Sequence, residues 1–307
     1  MNYGVVVVTY NRVSLLGECI KCIENQTIKP YKVFIVDNGS TDGTKEYLGS
    51  LGKDNYIVIG FGENMGASRG FSEGISEICK EDVDYVLVID DDAHIDKDYV
   101  LRISEFLERH HDVKAASGTV YEQEKIALSH RRRLKNKLTL ADMCVPENEY
   151  EGEVFYYDLF SFCGIFLSKE LLIQAGYPRS DFFTQYTDTD FSLRIRKYTR
   201  IANVNNAALR HKVKAGASAG KISYKFYYQV RNRMVTILSN SGKLLRPIIR
   251  LGFIMSYNMR ILGRSFMLVV QKDNIDVLKF QKQVFRDALR DVLSNNMGAN
   301  KKYLPDY

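Results

Sequence analysis

Cysteine is sparse in this chain, five residues in 307, and the count is odd. Both facts argue against a disulfide framework and favour a reducing compartment. Long apolar runs are missing too. The most apolar late stretch, residues 248–270, is interrupted by Arg250, Arg260 and Arg264, so nothing reaches the roughly 18 uncharged residues that suggest a spanning helix. The first residues, MNYGVVVVTYNR, offer no basic start and only four consecutive valines, too few for a signal-peptide core. These absences predict a cytoplasmic protein. Low-complexity composition is also lacking: 45% hydrophobic and 26% charged residues are ordinary globular values, which removes collagen-like and mucin-like readings. A chain of this length holds one large domain or two modest ones, and it buries enough surface to need no disulfide or metal staple.

Glutamate is absent from residue 218 onward, where sixteen Lys and Arg face five Asp, a net +11. The first 217 residues carry 27 Lys and Arg against 32 Asp and Glu, a net −5. An acidic first part joined to a basic tail predicts two jobs, the tail facing something anionic. We place a boundary near residue 217, between an acidic first part, residues 1–217, and a basic helical region, residues 218–307. That region would contact a membrane surface or a second copy of the chain. The tail's aromatics lie mostly at helical core spacing rather than on an exposed basic sheet, which argues against nucleic acid.

The first part alternates strand and helix signals, as βαβ units around a mostly parallel sheet do. Strands are expected over 3–9, 32–37, 56–59, 85–90 and 114–121, and helices over 13–26, 42–51, 65–80 and 96–109. In the first helix Leu15, Leu16, Cys19, Ile20 and Ile23 recur at helical spacing, so the lone Cys19-x-x-Cys22 pair reads as core packing rather than a metal or redox site. Residues 122–153 lose periodicity and read as a loop or an inserted helical hairpin. Their run His130 to Arg133 is either a binding patch for an acceptor diphosphate or a solvated charge cluster. Residues 154–167 read as an aromatic strand, and a short helix near 169–175 stops at Gly176. In the tail, Pro247 suits the first turn of a helix. On that helix Arg250, Arg260 and Arg264 would form a basic stripe, and Gly252, Ser256 and Gly263 a small-residue face; either it lies on anionic lipid or it packs within the fold.

Ligands of open parallel sheets bind beyond the carboxyl ends of the strands. No G-x-G-x-x-G and no G-x-x-x-x-G-K follows the first strand. The residues at those ends are Thr9, Tyr10, Asn11 and Arg12; Asp37, Asn38, Gly39 and Ser40; Asn64, Gly66 and Arg69; and the triplet Asp90-Asp91-Asp92. Three adjacent carboxylates after Val86-Leu87-Val88-Ile89 repel one another, a cost best offset by a cation. Alternation along an extended chain puts Asp90 and Asp92 on one face, where a hard divalent ion and substrate phosphates could meet. The competing reading is an acidic capping loop before the next helix.

The segments VVVVTYNR, FIVDNGSTDGT, ENMGASRG and VLVIDDDA, in this order, resemble the family-2 inverting glycosyltransferases of the GT-A fold, and the resemblance runs over residues 3–217. It implies a Rossmann-like, mostly parallel sheet flanked by helices, a nucleotide-sugar donor and Mn²⁺ or Mg²⁺. It also implies roles for single residues. Thr9, Tyr10, Arg12 and Asp37 hold the base and ribose, and Arg69 contacts the donor beside Asn64. The D-x-D motif spans Asp90, Asp91 and Asp92, with Asp92 the metal ligand and Asp90 a ribose or second metal contact; His211 completes the metal site. In FFTQYTDTDFSLRIRK, Asp188 matches the base and Asp190 a partner carboxylate, with Arg194 four residues on, where an ion pair supports a helix. The Trp-Asp-Asp common at the start of this segment is Tyr186-Thr187-Asp188 here, so the first carboxylate is absent.

The segment YYQVRNRM resembles an element of bacterial rhamnosyl- and galactofuranosyltransferases. There Arg231 would either meet a phosphate or lie on a helix surface. The implied function is transfer of a sugar from a UDP- or dTDP-linked donor to a glycan or polyprenyl-diphosphate-linked acceptor, at the inner face of the cell membrane. Two alternatives compete: a sugar-nucleotide pyrophosphorylase, which should carry a Gly-rich, Arg-containing loop where TYNR stands, and a nucleic-acid-binding module using the basic tail.

Overall fold

The computed structural model describes residues 1–212, 224–256 and 275–304, without the side chains of 275–278. Its centre is β1 (Tyr3–Thr9), whose valine run is buried from end to end. β1 pairs in parallel with β2 (Lys32–Asp37) on one side and β4 (Tyr85–Asp90) on the other, and β3 (Tyr56–Gly60) extends the sheet beyond β2. Alternate residues feed two cores. Val5 and Val7 meet Leu16, Cys19, Ile20 and Ile23 of α1 (Val13–Glu24), while Val6 and Val8 meet Phe71, Ile75 and Ile78 of α3 (Ala67–Ile78). α3 lies close to the sheet because Gly70 and Gly74 lack side chains; a Cβ there would come within 2.7 Å of Val8 and 2.6 Å of Val6. The short α2 (Thr44–Ser50) joins β2 to β3.

The other half of the sheet is mixed. β12 (Ile165–Ser168) runs antiparallel between β4 and β6 (Ala115–Glu122), β13 (Ile201–His211) is parallel to β6, and β10 (Val154–Tyr157) closes that edge. A three-residue strand, β5 (Ala93–Ile95), pairs with the end of β13 and sets His211 opposite Ala93, next to the acidic triplet. α4 (Tyr99–Arg109), α5 (Lys169–Ala175) and α6 (Thr187–Ile195) complete this part.

Residues 122–153 are neither a loop nor a helical hairpin. β7 (Lys125–Ile126) turns back on β6, and β8 (Arg131–Asn136) and β9 (Ala141–Cys144) form a small sheet with β11 (Leu159–Phe160). The charges that masked the strand pattern are consumed inside the segment. Arg132 pairs with Asp142 at 2.9 Å, and Arg133 holds Glu149 with two bonds of 2.5 Å. Arg131 is not a solvated charge at all: it is 0% exposed. Its guanidinium donates to Asn203 Oδ1 at 3.0 Å and to the carbonyls of Gly118, His130 and Cys163. The expected strand 154–167 is three strands, β10, β11 and β12, broken where Gly164 takes φ 78° against the Tyr99 hydroxyl.

Among the described residues the tail holds the helices α7 (Lys225–Asn240), α8 (246–256) and α9 (Ile275–Leu293). The boundary near 217 lies outside the described residues, as do Arg260, Gly263 and Arg264. Pro247 stands in the first turn of α8 as expected. Gly252 and Ser256 are exposed, and among the described residues nothing lies near a Cβ at Gly252. Ile249 and Phe253 pack inward instead, leaving Leu244, Ile248, Leu251 and Met255 exposed.

Arg131→Met removes a buried hub whose acceptors then lack a donor. The variant should lose about 3 kcal/mol of unfolding free energy, on the scale of unpaired buried groups. Urea unfolding measures it, and a loss under about 1 kcal/mol would mean that the acceptors find other donors.

Candidate active site

The carboxyl ends of β1, β2 and β4 are level, because Thr9 pairs with Asp37 and Val8 with Asp90. They open on a cleft of about 1010 Å³ whose lining includes Thr9, Tyr10, Arg12, Asn38, Asn64, the triplet Asp90-Asp91-Asp92 and His211. After Asp90 the chain turns into β5, with Asp91 and Asp92 in the turn. Asp91 accepts from the Thr9 hydroxyl at 2.7 Å and from Arg12 at 3.0 Å. Asp92 takes the same Arg12 nitrogen at 2.6 Å and lies 3.2 Å from His211 Nε2. Donor atoms of Asp90, Cys163 and His211 lie within 4.8 Å of one another, so Asp90 and Asp92 do share a neighbour.

The electrostatics follow from this crowding. Burial, then the adjacent Asp92, pushes the Asp90 carboxyl up to about 8. Burial raises Asp91 as well, against the pull of Arg12 and Thr9. For Asp92 burial acts upward, but the bonds to His211 and Arg12 outweigh it and hold the carboxyl below its ordinary range. Burial would lower His211, yet Asp92 and Glu122 raise it to about 9. The Cys163 thiol is fully buried and kept protonated by desolvation. Asp90 and Asp92 each approach the His211 imidazole, and two carboxylates with one imidazole are a donor set suited to a divalent cation of the Mn²⁺ type, since Mg²⁺ prefers oxygen alone.

Several of the expected residues are engaged by other protein groups or lie outside the lining. Arg12 lines the cleft, but its guanidinium is engaged by Asp91 and Asp92 rather than free for a base. Asp37 is buried and accepts from the Ser40 amide at 2.9 Å, bracing the turn while its neighbour Asn38 faces the cleft. Asn64 accepts from the Asn38 amide and the Gly66 N–H, each at 2.9 Å. Arg69 is exposed and lies over the Phe61 ring, away from the cleft lining.

Phe183, Thr184 and Gln185 wall the cleft just before α6. Phe183, Gln185 and Tyr186 all take left-handed backbone angles, φ 65°, 61° and 66°, costly for residues with side chains. Gly66, itself at φ 85°, lets this loop approach, for a Cβ there would meet the Phe183 carbonyl oxygen. The tail holds the loop from behind. Asn232 Nδ2 donates to the carbonyls of Phe182, Thr184 and Gln185 at 3.0, 2.7 and 2.8 Å. Arg231 donates to Phe182 O at 3.0 Å and Gly298 O at 2.6 Å. Arg231, 1% exposed, is thus neither a phosphate ligand nor a surface residue but a brace.

Asp188 stands in the first turn of α6, its Oδ1 accepting from the Thr189 N–H at 2.6 Å, and burial raises its carboxyl. Asp190 is buried and meets Arg194 Nε at 3.3 Å, the expected i,i+4 pair. Sequence reasoning missed Glu122, which bonds His211 Nδ1 at 2.8 Å and His130 Nε2 at 3.1 Å. Its only signal was a position at the end of a strand. Tyr224 and Lys225, at the start of α7, also line the cleft.

The profile described as Glycosyl transferase family 2 matches residues 4–163, just over half of the chain. Over 307 aligned residues the chain is 22% identical to the dTDP-rhamnosyl transferase RfbF of Shigella flexneri, with 95% of this chain and 96% of that protein covered. Among solved structures, S. aureus TarS 1–349 in complex with UDP-GlcNAc matches with a TM-score of 0.56 at 19% identity, over 81% of this chain and 70% of that one. GalNAc-T7 with UDP, GalNAc and Mn²⁺ matches with a TM-score of 0.59 at 10% identity, over 82% and 54%. Both likenesses are of fold, the GT-A arrangement of a mostly parallel sheet flanked by helices.

Replacing Asn232 with Leu leaves the Thr184 and Gln185 carbonyls without their Asn232 donor, while Phe182 keeps Arg231. About 2 kcal/mol of stability should be lost, together with faster amide exchange over residues 182–186. Unchanged exchange there would mean that the loop keeps its shape without the brace.

Proposed function

Because the chain belongs to glycosyl transferase family 2, we propose that it moves a sugar from a nucleoside-diphosphate donor, dTDP- or UDP-linked, to a hydroxyl of a glycan or polyprenyl-diphosphate-linked acceptor. The transfer inverts the anomeric carbon and serves cell-surface polysaccharide synthesis. The observation that carries this reading is the junction of Asp90, Asp92, Arg12 and His211 on one cleft at the carboxyl ends of the strands. Asp90, Asp92 and His211 are the residues to hold Mn²⁺ or Mg²⁺, and Mn²⁺ suits the imidazole better. That ion supplies positive charge to the departing diphosphate. Thr9 and Arg12 fix Asp91 and Asp92 in position for it. Tyr10, Asn64 and Asn38 line the side where a base and ribose fit.

Asp188 is our base. Its carboxylate follows the loop that walls the cleft, and the attacking hydroxyl must lose its proton as it bonds to the anomeric carbon. Asp190 is held by Arg194 and serves as support. Rhamnose or galactofuranose is the favoured sugar, on the YYQVRNRM element and on similarity to a dTDP-rhamnosyl transferase along nearly the full length of both chains. Family membership favours no pyrophosphorylase and no nucleic-acid module.

The site of action in this reading is the inner face of the membrane, reached peripherally. No helix among the described residues is long and apolar enough to cross a bilayer. α8 and the turn before it present Leu244, 91% exposed, with Ile248, Leu251 and Met255 in one stripe beside the exposed Lys243 and Arg250. Apolar contact plus basic charge is the combination that binds anionic lipid. The domain assignment, a catalytic part over 1–217 and a helical contact region over 218–307, belongs to the same proposal, with a second copy of the chain as the other occupant of that surface.

With a panel of dTDP- and UDP-sugars, Mn²⁺ and a lipid-linked acceptor, one donor should release nucleotide only when acceptor is present. Asp188→Asn should keep donor affinity by calorimetry while turnover falls about 10²-fold or more, the scale of a lost general base. Substantial turnover in that variant, with Asp190→Asn folded but inactive, would move the base to Asp190. In liposome flotation the protein should rise with anionic vesicles and not with neutral ones, and Leu251→Glu should abolish the difference. Equal recovery with both vesicle types would remove lipid from the account.

A further inference from the structure

An imidazole can offer a cation only the nitrogen that its other contacts leave free, so the group on His211 Nδ1 decides whether Nε2 is available. That group is Glu122, whose Oε1 lies 2.8 Å from Nδ1, while Nε2 points to Asp92 Oδ1 at 3.2 Å. The same Glu122 oxygen lies 3.1 Å from His130 Nε2, and His130 Nδ1 meets the Ser161 hydroxyl at 2.6 Å. With a cation bound, one assignment of protons suits these contacts. Ser161 donates to His130 Nδ1, His130 Nε2–H and His211 Nδ1–H both donate to Glu122, and His211 Nε2, which otherwise donates to Asp92, would give up that proton and offer its lone pair to the ion. The two rings stand edge to face with centroids 5.2 Å apart, so neither turns without displacing the other.

The chain of contacts is anchored on separate strands. Glu122 is the last residue of β6, His211 the last of β13, His130 immediately precedes β8, and Ser161 follows β11. Arg131, next to His130, is bound by carbonyls in the sheet below. We infer that Glu122, backed by His130 and Ser161, is a positioning residue that fixes the tautomer and ring orientation of His211 toward the divalent cation. The inference rests on the reading that Asp90, Asp92 and His211 take that cation.

Mn²⁺ binding to the full chain tests it, read by the electron paramagnetic resonance of free Mn²⁺ and by the ¹⁴N coupling of the bound ion, with UDP or dTDP present. Asp92→Asn should weaken Mn²⁺ strongly, and His211→Ala should remove the ¹⁴N coupling. Glu122→Ala should weaken Mn²⁺ by about 10- to 100-fold, the usual effect of losing an outer-shell partner, and should diminish or remove the ¹⁴N coupling. The near-isosteric Glu122→Gln, which keeps one acceptor oxygen, should fall between it and the parent, with a melting temperature near the parent's.

If Asp92→Asn and His211→Ala both leave Mn²⁺ affinity unchanged, the cation reading itself fails. If they weaken it while both Glu122 variants bind Mn²⁺ within threefold of the parent and keep the ¹⁴N coupling, the cation stands and the positioning role falls. A second bound ion, lost in Glu122→Ala and His130→Ala while the first is unaffected, would also overturn the inference, because Glu122, His130 and His211 would then be ligands of their own site.

Discussion

Three carboxylates at the mouth of a buried strand are the constraint around which this protein is arranged. β4 must be apolar to sit in the middle of the sheet, and it delivers Asp90, Asp91 and Asp92 to one spot. Left alone they would repel one another and lift β4 out of register. Each neighbour that tempers them comes from a different part of the chain: Thr9 and Arg12 from β1 and the turn beyond it, His211 from the far end of β13. The insertion of β12 between β4 and β6, and the short pairing of β5 with β13, are what bring so distant a histidine home. Sheet topology here is the means by which a cluster of like charge is given its counter-charges.

A second group of interactions shapes the other wall. The left-handed loop at 183–186 is costly in isolation, and its stability is borrowed from α7 through Arg231 and Asn232. Tyr227 and Tyr228 of the same helix stack on Tyr303 and Phe183, which ties the helix to both the end of the described chain and the loop. The tyrosines, arginine and asparagine of YYQVRN therefore act together as one clamp, and the motif makes sense as a set although none of its side chains lines the cleft.

The parallel half of the fold was legible because its physics is local. Runs such as VVVVT and YVLVID alternate with amphipathic helices, and the polar residues where each strand ends follow directly. The i,i+4 pair of Asp190 and Arg194 was legible for the same reason. Residues 122–153 were not, because Arg131, Arg132 and Arg133 find their partners across sheet contacts, and a buried arginine satisfied by carbonyls leaves the same trace in a sequence as a solvated one. Glu122 and His130 were hidden differently. They meet His211 from 89 and 81 positions away along the chain, and spacing carries no record of such a meeting. Arg231 was misread because its acceptors are backbone oxygens, which every residue has and no motif advertises.

The clamp on the loop has a consequence for synthesis. Loop residues 182–185 leave the ribosome some fifty residues before Asn232 and more than a hundred before Gly298, whose carbonyl and amide join Arg231 and Asp181. The strands β1 to β4 and their acidic rim can therefore assemble while translation continues, whereas the loop before α6 gains its bonds from Arg231 and Asn232 only after α7 has followed. The loop wall of the cleft is therefore among the later parts of the described fold to be held in place, after the strands whose carboxyl ends face it.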